Sequence, residues 1–322
     1  MIKKYVILMG LLITLTGCGI SKEKTDGNIP VGAADANSYL SEENSSDMTF
    51  SDENTTRDNE NAENSRNGVN DNELIPLRYV DAHGEWHDTL INPNVRKHDY
   101  DFSLLSNDGQ NISLKENEDY ELVKGIDVSH HQGNINWDKV KAAGYDFAIL
   151  RIAFRGYGES GVLKPDTRFK ENLTNAHKAG LKVGAYIFSQ AINEAEAVEE
   201  AEFVLDILGE EELELPVVYD PELIRDDAAR TDDVTGEQFT LNTIAFCDRI
   251  REAGYETMIY SNMVWEADLF DLEKLSDLEI WYADYEPVPQ TPYHFTMWQY
   301  SEKGSVPGVL GICDLDVMFV KK

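Results

Sequence analysis

Cysteine is scarce in this chain of 322 residues, which contains three: Cys18, Cys247 and Cys313. Their positions offer none of the paired spacings that hold zinc, so a structural zinc cluster is excluded. We expect Cys247 and Cys313 to pack as small apolar residues, and a disulfide between them is left open.

Basic residues are also few, with 28 lysines and arginines against 60 aspartates and glutamates and a net charge of −32. Nucleic-acid phosphates and anionic membrane surfaces would repel such a chain, so we exclude both as ligands. His130-His131 is a poor metal chelate, because adjacent side chains of an extended segment point apart. The sequence therefore predicts no cofactor and no resident metal.

Apolar runs of membrane-spanning length are missing as well, since the stretch of residues 5–15 is too short for a stable span. Two lysines precede it, which is the layout of a secretory signal. It ends in Leu15-Thr16-Gly17-Cys18, which resembles the lipobox of bacterial lipoproteins. That resemblance implies cleavage before Cys18 and lipidation of its thiol. An ordinary signal peptide with an incidental cysteine is the alternative.

The composition divides the chain into four parts. Residues 1–17 are the predicted lipoprotein signal peptide, and residues 18–75, rich in Ser, Asn, Asp and Glu, are predicted to be a disordered acidic tether. Residues 76–122 regain aromatic and aliphatic residues and predict a small β-rich extension, with a hairpin at Asn107-Asp108-Gly109. No catalytic pattern is visible in this extension, which we expect to pack on the main domain of residues 123–322.

Strand and helix patterns alternate through the main domain, as in parallel βαβ units. The predicted strands cover residues 125–128, 147–152, 183–188, 215–222, 257–260, 280–283, 295–300 and 315–320. The predicted helices cover residues 137–143, 169–179, 194–208, 239–253 and 264–275. Eight strands of this kind, the last three joined by loops, predict an α/β fold built as an irregular TIM-like barrel. A doubly wound open sheet is the alternative.

Two carboxylates, Asp220 and Glu222, close the apolar run of residues 215–219. Residues two apart in a strand point to the same face, so both carboxylates should project from the carboxyl end of one strand. Cleavage of a glycosidic bond needs such a pair, one as proton donor and one to stabilise the developing cation. The alternative is a solvated strand end that caps the next helix.

A set of short motifs follows one order through residues 123–320. They are Gly125-Ile126-Asp127-Val128-Ser129 with Gln132-Gly133 and Trp137, Phe147-Ala148-Ile149-Leu150-Arg151, Val183-Gly184-Ala185-Tyr186, Pro216 to Glu222, Ala253-Gly254-Tyr255, Ile259-Tyr260-Ser261, Trp281-Tyr282-Ala283, Trp298-Gln299-Tyr300 and Asp314-Leu315-Asp316. The ordered set resembles glycoside hydrolase family 25, the muramidases of the Chalaropsis type. The resemblance implies an irregular barrel of eight strands and five helices, and cleavage of the β-1,4 bond between N-acetylmuramic acid and N-acetylglucosamine.

By position, the resemblance implies that Glu222 is the proton donor and Asp220 its partner on the same strand. It also implies two further acids, Asp127 at the end of the first strand and Asp314 at the start of the last. Asp316 shares a strand face with Asp314 and competes for that role; we favour Asp314 because it lies nearer the strand start. Crowding should raise the pKa of at least one of these carboxyl groups, so that it stays protonated as a general acid.

Tyr186, Trp298 and Gln299 are predicted to line the groove, because aromatic faces stack on sugar rings. Core packing is the alternative for the two aromatic residues. Asp284 is expected to be a surface carboxylate. Ile187 stands where many relatives carry a histidine, which leaves open which sugar substituents are recognised.

The sequence thus predicts a peptidoglycan hydrolase that acts on glycan strands. We expect it to be anchored in the cell membrane by the lipid on Cys18 alone and to face the cell wall. Two alternatives stay open: a catalytically inactive wall-binding lipoprotein, and a glycosidase that acts on another amino-sugar polymer.

Overall fold

The computed structural model describes residues 75–225 and 227–322. The predicted signal peptide, the lipidation site Cys18 and the acidic tether lie outside the described residues. Among the helices of the described ranges, none combines the length and the apolar composition that crossing a bilayer requires.

Two hairpins form the extension that precedes the barrel. Strands β1 (Ile75–Val80) and β2 (Trp86–Ile91) pair antiparallel, and so do β3 (Leu105–Asn107) and β4 (Ile112–Leu114). The second hairpin is the one that the Asn107-Asp108-Gly109 turn predicts, and the first turns at Asp81-Ala82-His83-Gly84, where the Gly84 amide donates to the Asp81 carbonyl at 3.0 Å.

The main domain contains nine strands and four α-helices among the described residues. The strands are β5 (Tyr120–Val128), β6 (Phe147–Arg155), β7 (Leu163–Pro165), β8 (Lys182–Ser189), β9 (Val217–Pro221), β10 (Thr257–Asn262), β11 (Glu279–Ala283), β12 (Met297–Gly304) and β13 (Cys313–Lys321). The helices are α1 (Trp137–Ala142), α2 (Phe169–Ala179), α3 (Glu194–Leu208) and α4 (Gly236–Glu252).

Eight of these strands close into a barrel in the order β5-β6-β8-β9-β10-β11-β12-β13, because β5 pairs with both β6 and β13. All neighbours are parallel except β13, which runs antiparallel to β12 and β5. The short strand β7 adds to β6 outside the ring. The predicted TIM-like barrel is therefore confirmed, and the open doubly wound sheet is excluded.

The four α-helices match the sequence pattern, and helix α3 shows why. Its Asn193 side chain accepts a hydrogen bond from the Glu196 amide at the start, and Gly209 ends it with a φ of 63°.

The fifth predicted helix is different, since residues 264–275 contain only a π-helical turn at Trp265–Leu269. The Phe270 amide donates to the Trp265 carbonyl at 2.7 Å, a bond between residues five apart. This wider turn places both Trp265 and Phe270 in the core, where their ring centroids lie 4.9 Å apart.

Apolar side chains pack in two layers. One fills the barrel interior and includes Phe147, Val218 and Met258, and the other lies between the barrel and its surrounding helices. The extension joins the outer layer, because the Tyr100 ring stacks on Phe319 at 4.2 Å. Buried Cys247 and Cys313 carry free thiols and pack as small apolar residues, so the disulfide left open by the sequence is not formed.

Candidate active site

The carboxyl ends of the parallel strands meet at one end of the barrel. Asp127 is the second-to-last residue of β5, and Asp220 has the same place in β9. Because β13 runs in the opposite direction, Asp314 near its start lies at this same end, directly opposite Asp127 in the strand register. The closed barrel thus brings together aspartates that are far apart in sequence.

Asp127, Asp314 and Asp316 form a carboxyl cluster inside the barrel. The Asp127 side chain is hydrogen-bonded to those of both Asp314 and Asp316. Burial, followed by the neighbouring negative charges, raises the pKa of all three groups well above the ordinary value. The cluster therefore holds protons at a pH where isolated aspartates would be ionised. Asp316 is also a member of the cluster, although the strand register sets it opposite Gly125 rather than Asp127.

Gln299 and Trp281 fix the cluster from neighbouring strands. Gln299 Nε2 donates to Asp127 Oδ2 at 2.9 Å, and Trp281 Nε1 donates to Asp316 Oδ1 at 2.9 Å. Gln299 Oε1 in turn accepts from the hydroxyls of Tyr260 and Tyr285, each at 2.9 Å. Gln299 thus links the acids to two tyrosines, neither of which was singled out from the sequence for a site role.

Asp220 lies within reach of this cluster and is itself buried. Burial raises its pKa first, and the charges of Glu222 and Asp127 raise it further, while Arg151 opposes them. Among the described residues, Asp220 Oδ1 and Asp314 Oδ1 are buried without a hydrogen-bond partner. Buried acceptors of this kind are costly unless paired, so both oxygens are available to N–H or O–H donors of a ligand.

Glu222 follows directly after β9 and is only partly buried. Its backbone carbonyl accepts a hydrogen bond of 2.5 Å from Nε2 of Gln190, a buried residue just after β8. Gln190 Oε1 accepts from the Thr231 hydroxyl at 3.0 Å. The Gln190 side chain thus holds the main chain at Glu222 and is itself held by Thr231. The charge of Glu222 also raises the pKa of Asp314, which places it beside the cluster.

Arg151 is a buried cation near the acids, and no role for it was predicted. Its Nε donates to Asp166 Oδ2 at 3.0 Å, and only 4% of its side chain is exposed. The signal was available, since Arg151 interrupts an otherwise apolar strand. The His130 ring contacts the same Asp166 oxygen at 3.0 Å, and the partly buried His131 ring has a pKa lowered to about 4, mainly by desolvation. The two histidine rings do not point apart as an extended segment would require, because residues 130–132 form a 3-10 turn that brings their centroids to 4.1 Å.

Tyr186 lies at the site, half-buried beside Trp281 with ring centroids 6.1 Å apart. Trp298 does not. It is fully buried on the opposite face of β12, and its Nε1 donates to the Asp284 carbonyl at 2.7 Å. Adjacent strand residues point to opposite faces, so Gln299 and Trp298 cannot both face the groove. The prediction of Trp298 as a groove residue is corrected on this ground.

The same reasoning corrects two further expectations. Ile187 follows Tyr186 in β8 and is completely buried in the outer layer, so it contacts no sugar. Asp284, expected at the surface, is 8% exposed and accepts hydrogen bonds from the Tyr282 hydroxyl and the Gln290 amide, each at 2.9 Å. Burial raises its pKa above the ordinary value.

A cavity of about 330 Å³ lies at the same end of the barrel as the acids. One side is the turn between β1 and β2, and the other consists of the ends of β10 and β11 with the loop that follows. Tyr260 and Tyr285 line it, and both are bonded to Gln299. The extension, in which the sequence shows no catalytic pattern, thus forms part of the surface beside the acids.

Asp81, Glu85 and His87 of the first hairpin are a further group with metal-ligand chemistry, since one ligand atom of each lies within 4.8 Å of the others. Asp81 Oδ1, however, accepts the backbone N–H groups of His83 and Glu85, each at 2.9 Å. Asp81 Oδ2 contacts the His87 ring at 3.1 Å. These hydrogen bonds stabilise the turn between β1 and β2, so the group has a structural role.

Comparison with known proteins identifies relatives of the barrel. The chain is 26% identical to an autolytic lysozyme of Clostridium acetobutylicum, covering 60% of this chain and 55% of the relative. It is 30% identical to lysozyme M1 of Streptomyces globisporus, covering 60% of this chain and 66% of that protein. The chain thus spans little more than half to about two thirds of the length of these curated relatives.

A solved structure and a family model agree with them. The structure of a family 25 glycosyl hydrolase from Bacillus anthracis superposes with a TM-score of 0.51 at 26% identity, covering 62% of this chain and 89% of that one. The model of glycosyl hydrolases family 25 matches residues 126–309, which include most of the barrel and three of the four predicted acids, Asp127, Asp220 and Glu222. This protein is therefore a member of glycosyl hydrolase family 25.

Proposed function

We propose that this protein is a muramidase that hydrolyses the β-1,4 bond between N-acetylmuramic acid and N-acetylglucosamine in peptidoglycan. The observation that carries the proposal is the set of buried carboxyl groups with raised pKa beside the partly exposed Glu222. Glycosidic bond cleavage needs a proton donor close to groups that stabilise positive charge. The names of the two curated lysozymes point the same way.

Glu222 is the proposed general acid. Its partial exposure leaves the carboxyl group accessible to a glycan, and its charge helps to raise the pKa of the neighbouring Asp220. Proton transfer from Glu222 to the bridging oxygen lets the bond between that oxygen and the anomeric carbon break. The same carboxylate then takes a proton from the attacking water, which returns the enzyme to its first state.

The substrate's N-acetyl group is the proposed nucleophile. Asp220 Oδ1 or Asp314 Oδ1, both buried without partners in the described part of the chain, would accept the amide N–H and direct the amide oxygen to the anomeric carbon. A cyclic intermediate forms within the sugar, and water opens it from the opposite face. Two inversions give net retention without a covalent bond to the enzyme, the substrate-assisted route.

Two other functions remain in competition. Burial of four carboxyl groups lowers the stability of the protein, and a wall-binding lipoprotein without activity would have no need of them. This cost favours the enzyme. A glycosidase for another amino-sugar polymer was suggested by Ile187, but that side chain is buried away from the site. No observation specifically favours either alternative.

The decisive experiment is an analysis of the new reducing ends released from purified peptidoglycan. After borohydride reduction, the proposal expects muramicitol. Glucosaminitol would indicate the other glycosidic bond, and the absence of both would indicate a binding protein.

We further propose that the mature protein begins at Cys18 and is held at the outer face of the cell membrane by the lipid on that residue. The motif Leu15-Thr16-Gly17-Cys18 and the polar composition of residues 18–75 support this location. Peptidoglycan would then lie within reach of the barrel.

A further inference from the structure

The cavity beside the acids has one wall that the family barrel does not supply. Its lining includes Asp81, Ala82 and His83 from the turn between β1 and β2, whereas the family match begins only at residue 126. The opposite wall contains Tyr260, Tyr285 and Glu286. The cavity therefore exists in this form because the extension packs on the barrel.

The first hairpin is fixed against the barrel rather than loosely attached. The Val80 amide donates to Gln290 Oε1 and Gln290 Nε2 donates to the Val80 carbonyl, both at 2.8 Å. Gln290 is in turn held by Asp284 through its own amide at 2.9 Å. Tyr79 is buried next to this clamp, with 1% of its surface exposed. The turn of residues 80–84 therefore has a defined position relative to Tyr260 and Tyr285 on the opposite side of the cavity.

Two tyrosines connect the cavity to the catalytic carboxyl groups. Tyr260 and Tyr285 line the cavity and donate to Gln299, whose amide donates to Asp127. A ligand in the cavity would thus contact tyrosines that are two hydrogen bonds away from Asp127, through Gln299. This distance suits a sugar unit next to the one that reacts.

Charge decides which sugar unit fits. Asp81, Asp284 and Glu286 make the lining acidic, which disfavours the lactyl carboxylate of N-acetylmuramic acid. The carboxylate oxygens of Asp284 are engaged with Tyr282, Glu286 and Gln290, so they supply negative potential rather than open acceptors for an amine. The tyrosine rings offer the apolar faces on which neutral sugars stack.

We propose that this cavity is a subsite for one N-acetylglucosamine unit of the glycan, and that the turn of residues 80–84 is its outer wall. This rests on the proposed muramidase activity. In the alternating polymer, both neighbours of the muramic acid unit that reacts are N-acetylglucosamine, which agrees with the exclusion of carboxylates. A cavity of about 330 Å³ is at the lower end of the range for small-ligand sites.

The test uses Ala82→Trp, which fills the cavity from the exposed turn, and Leu90→Trp as the matched control. Leu90 is 51% exposed on the same hairpin and lies outside the cavity lining. Binding of N,N′-diacetylchitobiose is measured by calorimetry, and hydrolysis of glycan strands is followed in parallel. Melting temperatures of both variants establish that they fold.

We expect Ala82→Trp to weaken diacetylchitobiose binding and to raise the KM for glycan strands by about tenfold, with Leu90→Trp like the parent. Equal behaviour of the two variants would overturn the subsite, and so would tighter binding of N-acetylmuramic acid or of lysine methyl ester than of diacetylchitobiose. Binding that depends on Ala82 in a protein that cleaves no glycan would retain the subsite and reject the muramidase. Cleavage without that dependence would do the reverse.

Discussion

At the scale of single residues, carboxyl groups of the same chemistry differ through their surroundings. Asp127, Asp220 and Asp316 are buried and have raised pKa values, whereas Glu222 is partly exposed at a strand end. A general acid must reach the leaving oxygen, and a stabilising group must be enclosed near the anomeric carbon. The difference in exposure supports the division of roles proposed for these residues.

Glu222→Gln should lower muramidase activity by at least about a hundredfold, because an amide cannot donate the proton. The fold should persist, since the hydrogen bond from Gln190 reaches the backbone carbonyl of residue 222 rather than its side chain. Release of reducing ends from purified walls measures the loss, and a melting curve checks the fold. Glu212→Gln, at an exposed position before β9, is the control. Near-normal activity of the Glu222 variant would contradict the assignment.

The first product should have the β configuration, because substrate-assisted cleavage inverts the anomeric carbon twice. Proton NMR of a fresh digest follows the anomeric signal before mutarotation. An α product appearing first would rule out retention and favour direct attack by water.

Asp316 offers a test by pH. Its pKa is raised by burial and by Asp314, so the folded state keeps a proton that the unfolded chain releases above about pH 4. The stability from this group is complete below that pH and is lost as pH rises through the folded pKa. Asp316→Asn cannot ionise and keeps an acceptor for Trp281. At pH 8 the variant should therefore have a melting temperature a few degrees higher than that of the parent. Each kcal/mol gained in the free energy of unfolding corresponds to about 2–4 °C.

Calorimetric melting at several pH values measures this effect. The difference between Asp316→Asn and the parent should shrink as the pH falls toward 4. Asp233→Asn, at an exposed position, should show no such trend. A constant difference across the pH range would refute the linkage.

At the scale of elements, a buried ion pair joins strand β6 to helix α3. Arg155 Nε donates to Glu200 Oε1 at 2.7 Å, and Glu200 is fully buried and also accepts from the Ser189 hydroxyl at 2.6 Å. Burial raises the pKa of Glu200 to about 7, with Arg155 opposing the shift. Each charge of this pair is stable in the interior only while its partner is present. The pair lies at the carboxyl ends of β6 and β8, the same end of the barrel as the acids.

Arg155→Met should destabilise the protein by about 3–5 kcal/mol, because it leaves the Glu200 charge buried without its partner. Urea denaturation measures the change, and the double variant Arg155→Met, Glu200→Leu should recover much of it. Arg251→Met is the matched control; Arg251 pairs with Asp277 at the surface at 2.6 Å and should contribute about 1 kcal/mol or less. Equal losses in both single variants would contradict a special role of the buried pair.

At the scale of the whole molecule, the extension and the barrel share one core. Tyr79, Tyr100 and Ile112 of the extension belong to the outer apolar layer of the barrel. The proposed glycan site therefore has walls from both parts.

Cys18→Ser should move the protein from the membrane fraction to the soluble fraction, because the proposed lipid is attached to that one thiol. Fractionation with detergent partitioning measures the change. Ser21→Ala, which leaves the lipobox intact, should stay with the membrane. If the Cys18 variant still partitions into detergent, the anchor is elsewhere.

Most of the barrel could be predicted from the sequence, because alternating apolar segments, helix caps and glycine stops are local signals. Helix α3 and strand β8 are examples. The helical segment predicted for residues 264–275 is present in part, as a π-helical turn at Trp265–Leu269, because Trp265 and Phe270 both pack in the core. Tertiary packing overrides local helix preference there.

The sequence by itself determined the family, the four carboxylates and the alternation of faces along each strand. That alternation already places Trp298 on the opposite face from Gln299, and Ile187 on the opposite face from Tyr186. Only the structure, in which Trp298 and Ile187 are buried, shows that these two side chains lie away from the site. Which groups become neighbours was decided by the tertiary structure. Closure of the ring sets Asp127 against Asp314 and Asp316, and the extension places residues 80–84 beside Tyr260. Such contacts join residues distant in the chain, and no local pattern encodes the distance between them.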